Sequence, residues 1–150
     1  GLETHTGAFH ALIGHSMGAA AAATSTRCGC QLHGLVLLAP PLSQLDRVER
    51  IAARLELAEP VREVFRRAVE RRTATRFADA DLMATARVAP CPLLVFHDPA
   101  DPETRYTDSV QIVAHWPGAE LVTCPGRGHY RILTTPDVIR RTVDFIAALP

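Results

Sequence analysis

The chain has no lysine. All sixteen of its basic residues are arginine, and sixteen acidic residues balance them to a formal net charge of zero. Without a charge excess there is no strong electrostatic pull toward nucleic acid or an anionic membrane. Neither is expected as a main partner. No run of 18 apolar residues occurs, so no transmembrane helix is expected. The first apolar run, Phe9 to Ile13, is too short for a signal peptide and has no basic segment before it. Cysteine is sparse: Cys28, Cys30, Cys91 and Cys124. Cys28-Gly29-Cys30 is the only close pair, and C-x-C without two further ligands at matched spacing is a weak zinc pattern. The four are expected as thiols in a reducing, cytoplasmic compartment, with a metal site or a disulfide as lesser alternatives. There is also no initiating methionine, and the first element begins within fifteen residues of Gly1. That suggests a fragment whose N-terminal part is missing. The arginine-only, alanine-rich usage reads as the coding bias of a GC-rich bacterial genome.

What is present is enough for one domain with a buried core: 150 residues, 47% hydrophobic. Gly14-His15-Ser16-Met17-Gly18 is the most informative stretch, a G-x-S-x-G pattern. An apolar run of strand length precedes it, and the alanine run Ala19 to Ala23 follows with high helix propensity. A strand turning sharply through Ser16 into a helix holds the hydroxyl at the carboxyl edge of a sheet, and the glycines relieve Cβ clashes in that turn. The helix N-terminus puts partial positive charge where an oxyanion would develop. The bland alternative is a loop serine between flexible glycines.

Further strands are predicted at Gly34 to Ala39, Pro92 to His97 and Ala119 to Cys124. Between the second and third lies a long strandless stretch, about 42–89. Ser43 is placed to cap a helix with the stripe Leu45, Val48, Ile51, Ala52 and Leu55. A second helix starts after Glu59-Pro60 with Val61, Val64, Phe65, Ala68 and Val69 inward, and a third short helix falls within Asp79 to Arg87. Tyr106 to His115 reads as a helix with Val110, Val113 and Ala114 as its apolar face. Pro125 to Gly128 reads as a flexible loop ending at His129. Thr135 and Pro136 open a last helix with the stripe Val138, Ile139, Val143, Phe145, Ile146 and Leu149. Strands alternating with helices imply an α/β fold with a mostly parallel sheet flanked by helices, and 42–89 is expected as a helical cap insertion.

In an open parallel sheet, functional residues gather at the carboxyl ends of the strands. Ser16 follows the first strand, Asp101 the third and His129 the fourth. A serine hydroxyl needs an imidazole to take its proton, and the imidazole needs a carboxylate to fix its tautomer. With Gly-His-Ser-Met-Gly at 14–18, His-Asp-Pro-Ala-Asp at 97–101 and Gly-Arg-Gly-His at 126–129, nearly the whole chain resembles the α/β-hydrolase superfamily, from the nucleophile elbow onward. The resemblance implies Ser16 as nucleophile, Asp101 as acid and His129 as base, with an acyl-enzyme formed from a small ester or thioester. It implies no cofactor and no metal. The Met17 backbone N–H is one oxyanion donor, and the family supplies the other from a loop upstream of the elbow. The family also has strands upstream. Without them the first strand is an apolar open edge, so self-association and low activity of the isolated piece are expected.

Asp98 competes with Asp101 for the acid role, and the family spacing selects Asp101. His97 reads as a packed, hydrogen-bonded core histidine and His15 as a support of the elbow. His5, His10, His33 and His115 read as structural or surface residues. Arg62, Arg66, Arg67, Arg71 and Arg72 read as a solvated helix face. Met17 and Leu42 flank the site, either lining an acyl pocket or packing in the core. Two other functions stay open: a non-catalytic binding module on the same fold, and a zinc or redox domain built on Cys28 and Cys30.

Overall fold

Two of the four strands are buried at every position, and this sets the architecture. A computed structural model describes residues 9–88 and 91–150. His5 and the end of the insertion at residue 89 lie outside the described residues. Strands β1 (Ala11–His15), β2 (Gly34–Leu38), β3 (Leu93–His97) and β4 (Ala119–Thr123) form one sheet in the order β1-β2-β3-β4, with every neighbouring pair parallel. β2 and β3 are central and covered on both faces, which is why their sequences are continuous apolar runs. β1 and β4 are the edges.

Side chains alternate across the sheet. Leu35, Leu37, Leu93 and Val95 point to one face, where they pack with Ala19, Ala20 and Ala23 of helix α1 (Met17–Arg27), and with Ile112 and Trp116. Val36, Leu38, Leu94 and Phe96 point to the other, against Ile132 and Val138. The fold is therefore an α/β fold with helices on both faces of a parallel sheet.

Between β2 and β3 run α2 (Gln44–Arg54), α3 (Glu59–Thr73), a 3₁₀ turn (Phe77–Ala80) and α4 (Leu82–Ala86). Ser43 caps α2 by accepting a hydrogen bond from the Asp46 N–H at 3.2 Å. α3 buries no residue completely. α4 differs: Leu82, Thr85 and Ala86 have no exposed surface, and it packs against α1 and α5 (Tyr106–His115) as part of the core. The chain closes with α6 (Gly128–Arg131), a 3₁₀ turn (Ile132–Thr134) and α7 (Pro136–Ala147).

Several expectations shift. β1 starts at Ala11, two residues later than predicted, and runs to His15, because Gly14 and His15 still pair with Leu37 and Leu38. In α2 the buried positions are Gln44, Val48 and Ala52, while Leu45 and Leu55 are exposed. In α5 they are Asp108, Ser109 and Ile112, while Val110 is exposed. In α7, Val138 and Thr142 are buried and Ile139 and Val143 are exposed. In each helix the error is the same. The apolar stripe alone does not include the polar side chains that take interior places, so the buried face is rotated from the predicted one. Thr135 precedes α7 as predicted, but its hydroxyl donates back to the Arg131 carbonyl at 2.9 Å and accepts no N–H from the new helix.

Candidate active site

Ser16 joins β1 to α1 with φ 54° and ψ −121°, a positive φ that a non-glycine residue adopts only when its surroundings enforce it. Its N–H donates to the Leu38 carbonyl at 2.9 Å, which carries the sheet ladder up to the serine. Its carbonyl accepts from the Ala19 N–H at 3.0 Å, which begins the helix. Gly14 makes this turn possible: a Cβ there would stand 2.6 Å from the Ala19 Cα and 2.6 Å from the Gly18 carbonyl. Gly18 was expected to relieve the same crowding. It does not, since a Cβ at Gly18 would meet nothing within 4 Å. The Ser16 hydroxyl is buried and has no hydrogen-bond partner among the described residues.

His129 and Asp101 meet directly. His129 Nδ1 is 2.8 Å from Asp101 Oδ2, and both side chains are almost wholly buried. Asp101 also accepts from the Glu103 N–H at 2.7 Å, the Thr104 N–H at 3.1 Å and the Thr104 hydroxyl at 3.1 Å. Burial alone would raise the pKa of this carboxyl. Hydrogen bonds from His97, His129 and the two backbone N–H groups outweigh it and hold the group far below the usual carboxylate range. Asp101 is thus a fixed negative charge beneath His129.

Asp98 does something else. Its two oxygens accept from the Gly128 and Ala100 N–H groups. Burial opposes its ionisation, but the N–H groups of Gly128, Ala100 and Arg127 prevail and keep its pKa low. Gly128 (φ 61°) and Gly126 (φ 74°) turn the chain into α6, where His129 sits on the first turn. Asp98 therefore anchors the segment that presents His129.

Two further histidines belong to this cluster. His97 is fully buried, with Nδ1 2.6 Å from the Ser109 hydroxyl and Nε2 3.5 Å from Asp101 Oδ2. The packed, hydrogen-bonded reading fits it, but its contact with Asp101 went unseen in the sequence. The i, i+4 spacing of His97 and Asp101 was the available signal. His15 Nε2 donates to the His129 carbonyl at 2.9 Å, and the rings lie 4.6 Å apart. Burial lowers the His15 pKa more than its hydrogen bond to His129 raises it, so the ring titrates below the ordinary histidine range. His15 thus reaches across from the end of β1 to the segment carrying His129.

The remaining candidates lie elsewhere. Met17 lines a cavity beside α1, whereas Leu42 packs on the core. His10 stacks on His33 with centroids 5.0 Å apart, and His115 bonds the Gln111 carbonyl. Arg66 and Arg67 pair with Glu49 and Glu63. Cys28 is exposed and Cys91 and Cys124 are buried, all as free thiols, and burial pushes the latter two up in pKa. No group of three or more His, Cys, Asp or Glu among the described residues could hold a metal ion. No helix of the described residues is long and apolar enough to cross a membrane.

The sequence profile of the alpha/beta hydrolase family matches residues 2–142. Comparison with curated proteins finds no match. Among solved structures, the Mycobacterium tuberculosis protein Rv0554 is similar over 99% of this chain and 69% of its own, with TM-score 0.69 and 17% identity. The esterase domain of a Rhodothermus marinus protein is similar over 98% and 62%, with TM-score 0.67 and 19% identity. A hydrolase from Pseudomonas aeruginosa is similar over 98% and 68%, with TM-score 0.66 and 23% identity. The fold, the elbow and the span of the profile match converge, and the chain belongs to the α/β hydrolase family.

Proposed function

We propose that the protein is a serine hydrolase that cleaves a small carboxylic ester or thioester through an acyl-enzyme. The observation that carries this reading is the buried 2.8 Å contact of His129 Nδ1 with ionised Asp101, at the same carboxyl edge of the sheet as a serine held at a positive-φ elbow. Asp101 holds the proton of His129 on Nδ1, so Nε2 is the free lone pair. In the reaction His129 Nε2 takes the Ser16 proton as Oγ attacks the acyl carbon. The tetrahedral oxyanion receives the Met17 N–H, one of the donors left without an intrahelical partner at the start of α1. Collapse expels the alcohol or thiol, which takes the proton from His129. Water, activated by the same imidazole, then releases the acid and restores Ser16.

The esterase and hydrolase named among the similar structures support the substrate class by likeness of fold. Free thiols fit a reducing, cytoplasmic setting. A fluorophosphonate probe tests the proposal: it should label wild-type protein at Ser16 and fail to label Ser16→Ala. A well-folded wild-type protein that resists the probe would favour the non-catalytic binding module instead.

A further inference from the structure

A cavity of about 550 Å³ lies between α1 and the insertion. Its lining is mostly apolar, yet two polar groups in it have no partner. Gln44, the first residue of α2, is 6% exposed, and its Nε2 is buried without a hydrogen bond among the described residues. Thr24 Oγ1 is likewise buried and unpaired. Its neighbours show how unusual this is. Ser25 donates to the Ala22 carbonyl and Thr26 to the Ala23 carbonyl, each at 2.7 Å, the ordinary way a helix absorbs a hydroxyl. Thr24, the residue before them, makes no such bond and lines the cavity. Buried polar groups are nearly always paired, so two orphans lining one apolar cavity point to a ligand that completes them. The cavity also begins at Met17 and Gly18, the two residues after Ser16, and the absent side chain of Gly18 keeps that end open.

We propose that this cavity takes the chain of the scissile ester, and that Gln44, with Thr24, reads an oxygen acceptor on it. The preferred substrate then carries an apolar chain interrupted by a carbonyl or ether oxygen. Gln44 Nε2 donates to that oxygen, and the Thr24 hydroxyl donates to its second lone pair. A purely hydrocarbon chain fills the same space but leaves both groups unpaired. This assignment rests on the ester-hydrolase reading of Ser16, since that reading makes the cavity a substrate site.

Binding of two inert, nearly isosteric probes tests it: butyrophenone and butylbenzene, which differ by a carbonyl in place of a methylene. Titration of Ser16→Ala protein, followed by NMR, removes any covalent chemistry. Butyrophenone should bind about three- to tenfold more tightly, the range of one or two neutral hydrogen bonds. Gln44→Leu removes an unpaired group and should fold at least as well. It should erase the ketone's advantage while leaving butylbenzene as tightly bound or tighter. Ala21→Phe, which fills the cavity from an exposed wall position, should weaken both. Equal affinity for the two probes, an advantage that survives Gln44→Leu, or no binding of either would overturn the assignment. Failure of fluorophosphonate labelling would strike the hydrolase reading alone, because the probe ratio does not depend on Ser16.

Discussion

At the residue scale, two aspartates three positions apart have separate tasks. Asp101 meets His129, and Asp98 grips the backbone that carries His129. Under the proposed mechanism Ser16, His129 and Asp101 act as a unit, so in protein that turns over a p-nitrophenyl ester Ser16→Ala or His129→Ala should lower kcat by about a thousandfold or more. Asp101→Asn should be severe and Asp98→Asn mild. A larger loss from Asp98→Asn would reverse the assignment of the acid. Glycine divides the same way. Gly14→Ala forces a Cβ into backbone atoms and should cost about 1–3 kcal/mol or more in denaturant unfolding. Gly18→Ala meets open space inside the first turn of α1 and should be neutral or slightly stabilising. The two glycines look equivalent in the sequence because the motif records their spacing and not what stands opposite each one.

At the scale of elements, the loop after β3 and the turn before α6 are joined by charge. Asp98 and Asp101 both have folded pKa values below their unfolded ones. Each therefore binds fewer protons when folded. Their contribution is fully present above about pH 4, the unfolded carboxyl range, and is lost as pH falls below it. Acid unfolding should begin near that pH, and Asp98→Asn should flatten the acid limb of a stability–pH profile measured by urea denaturation. A limb unchanged by the substitution would show that the N–H groups around Asp98 do not stabilise its charge. Asp108 of α5 has the opposite sign. Burial raises its pKa, although it accepts the Leu42 N–H at 3.1 Å, so its contribution declines as pH rises through the carboxyl range. That bond ties the start of the insertion to the core. The type of each helix was legible from apolar spacing, but its rotation was not. Ser109 and Gln44 sit inside, and only the partner of the first and the cavity beside the second explain why.

At the scale of the whole molecule, the sheet is asymmetric in its exposure. Both central strands are covered, while among the described residues β1 pairs with β2 on one side only and shows Ile13 at 57% exposure. An apolar edge strand is a template for pairing with another chain. The 150-residue chain is therefore expected to self-associate through β1. Sedimentation should show species larger than a monomer, and Ile13→Arg, which puts a charge on that edge, should shift them toward the monomer. A monomeric wild-type chain at high concentration would contradict this. The solved structures that match here are longer than this chain, which spans 62–69% of the three compared.

The sequence by itself determined the order and type of the elements, the parallel sheet and the elbow. These follow from local information: apolar runs of strand length, helix-period stripes, and glycines at a fixed spacing from a serine. It also brought Ser16, Asp101 and His129 to one edge, because strand ends are predictable once the strands are. Tertiary structure alone decided that Asp98 grips the backbone carrying His129, that His15 and His97 belong to the same cluster, and that Gln44 and Thr24 line a cavity. Those outcomes depend on hydrogen bonds between segments up to 114 residues apart and on which face of a helix packing selects. A polar residue in a sequence does not reveal whether water, a neighbour or a ligand will satisfy it. Only the packed chain makes that choice, because only there is water excluded.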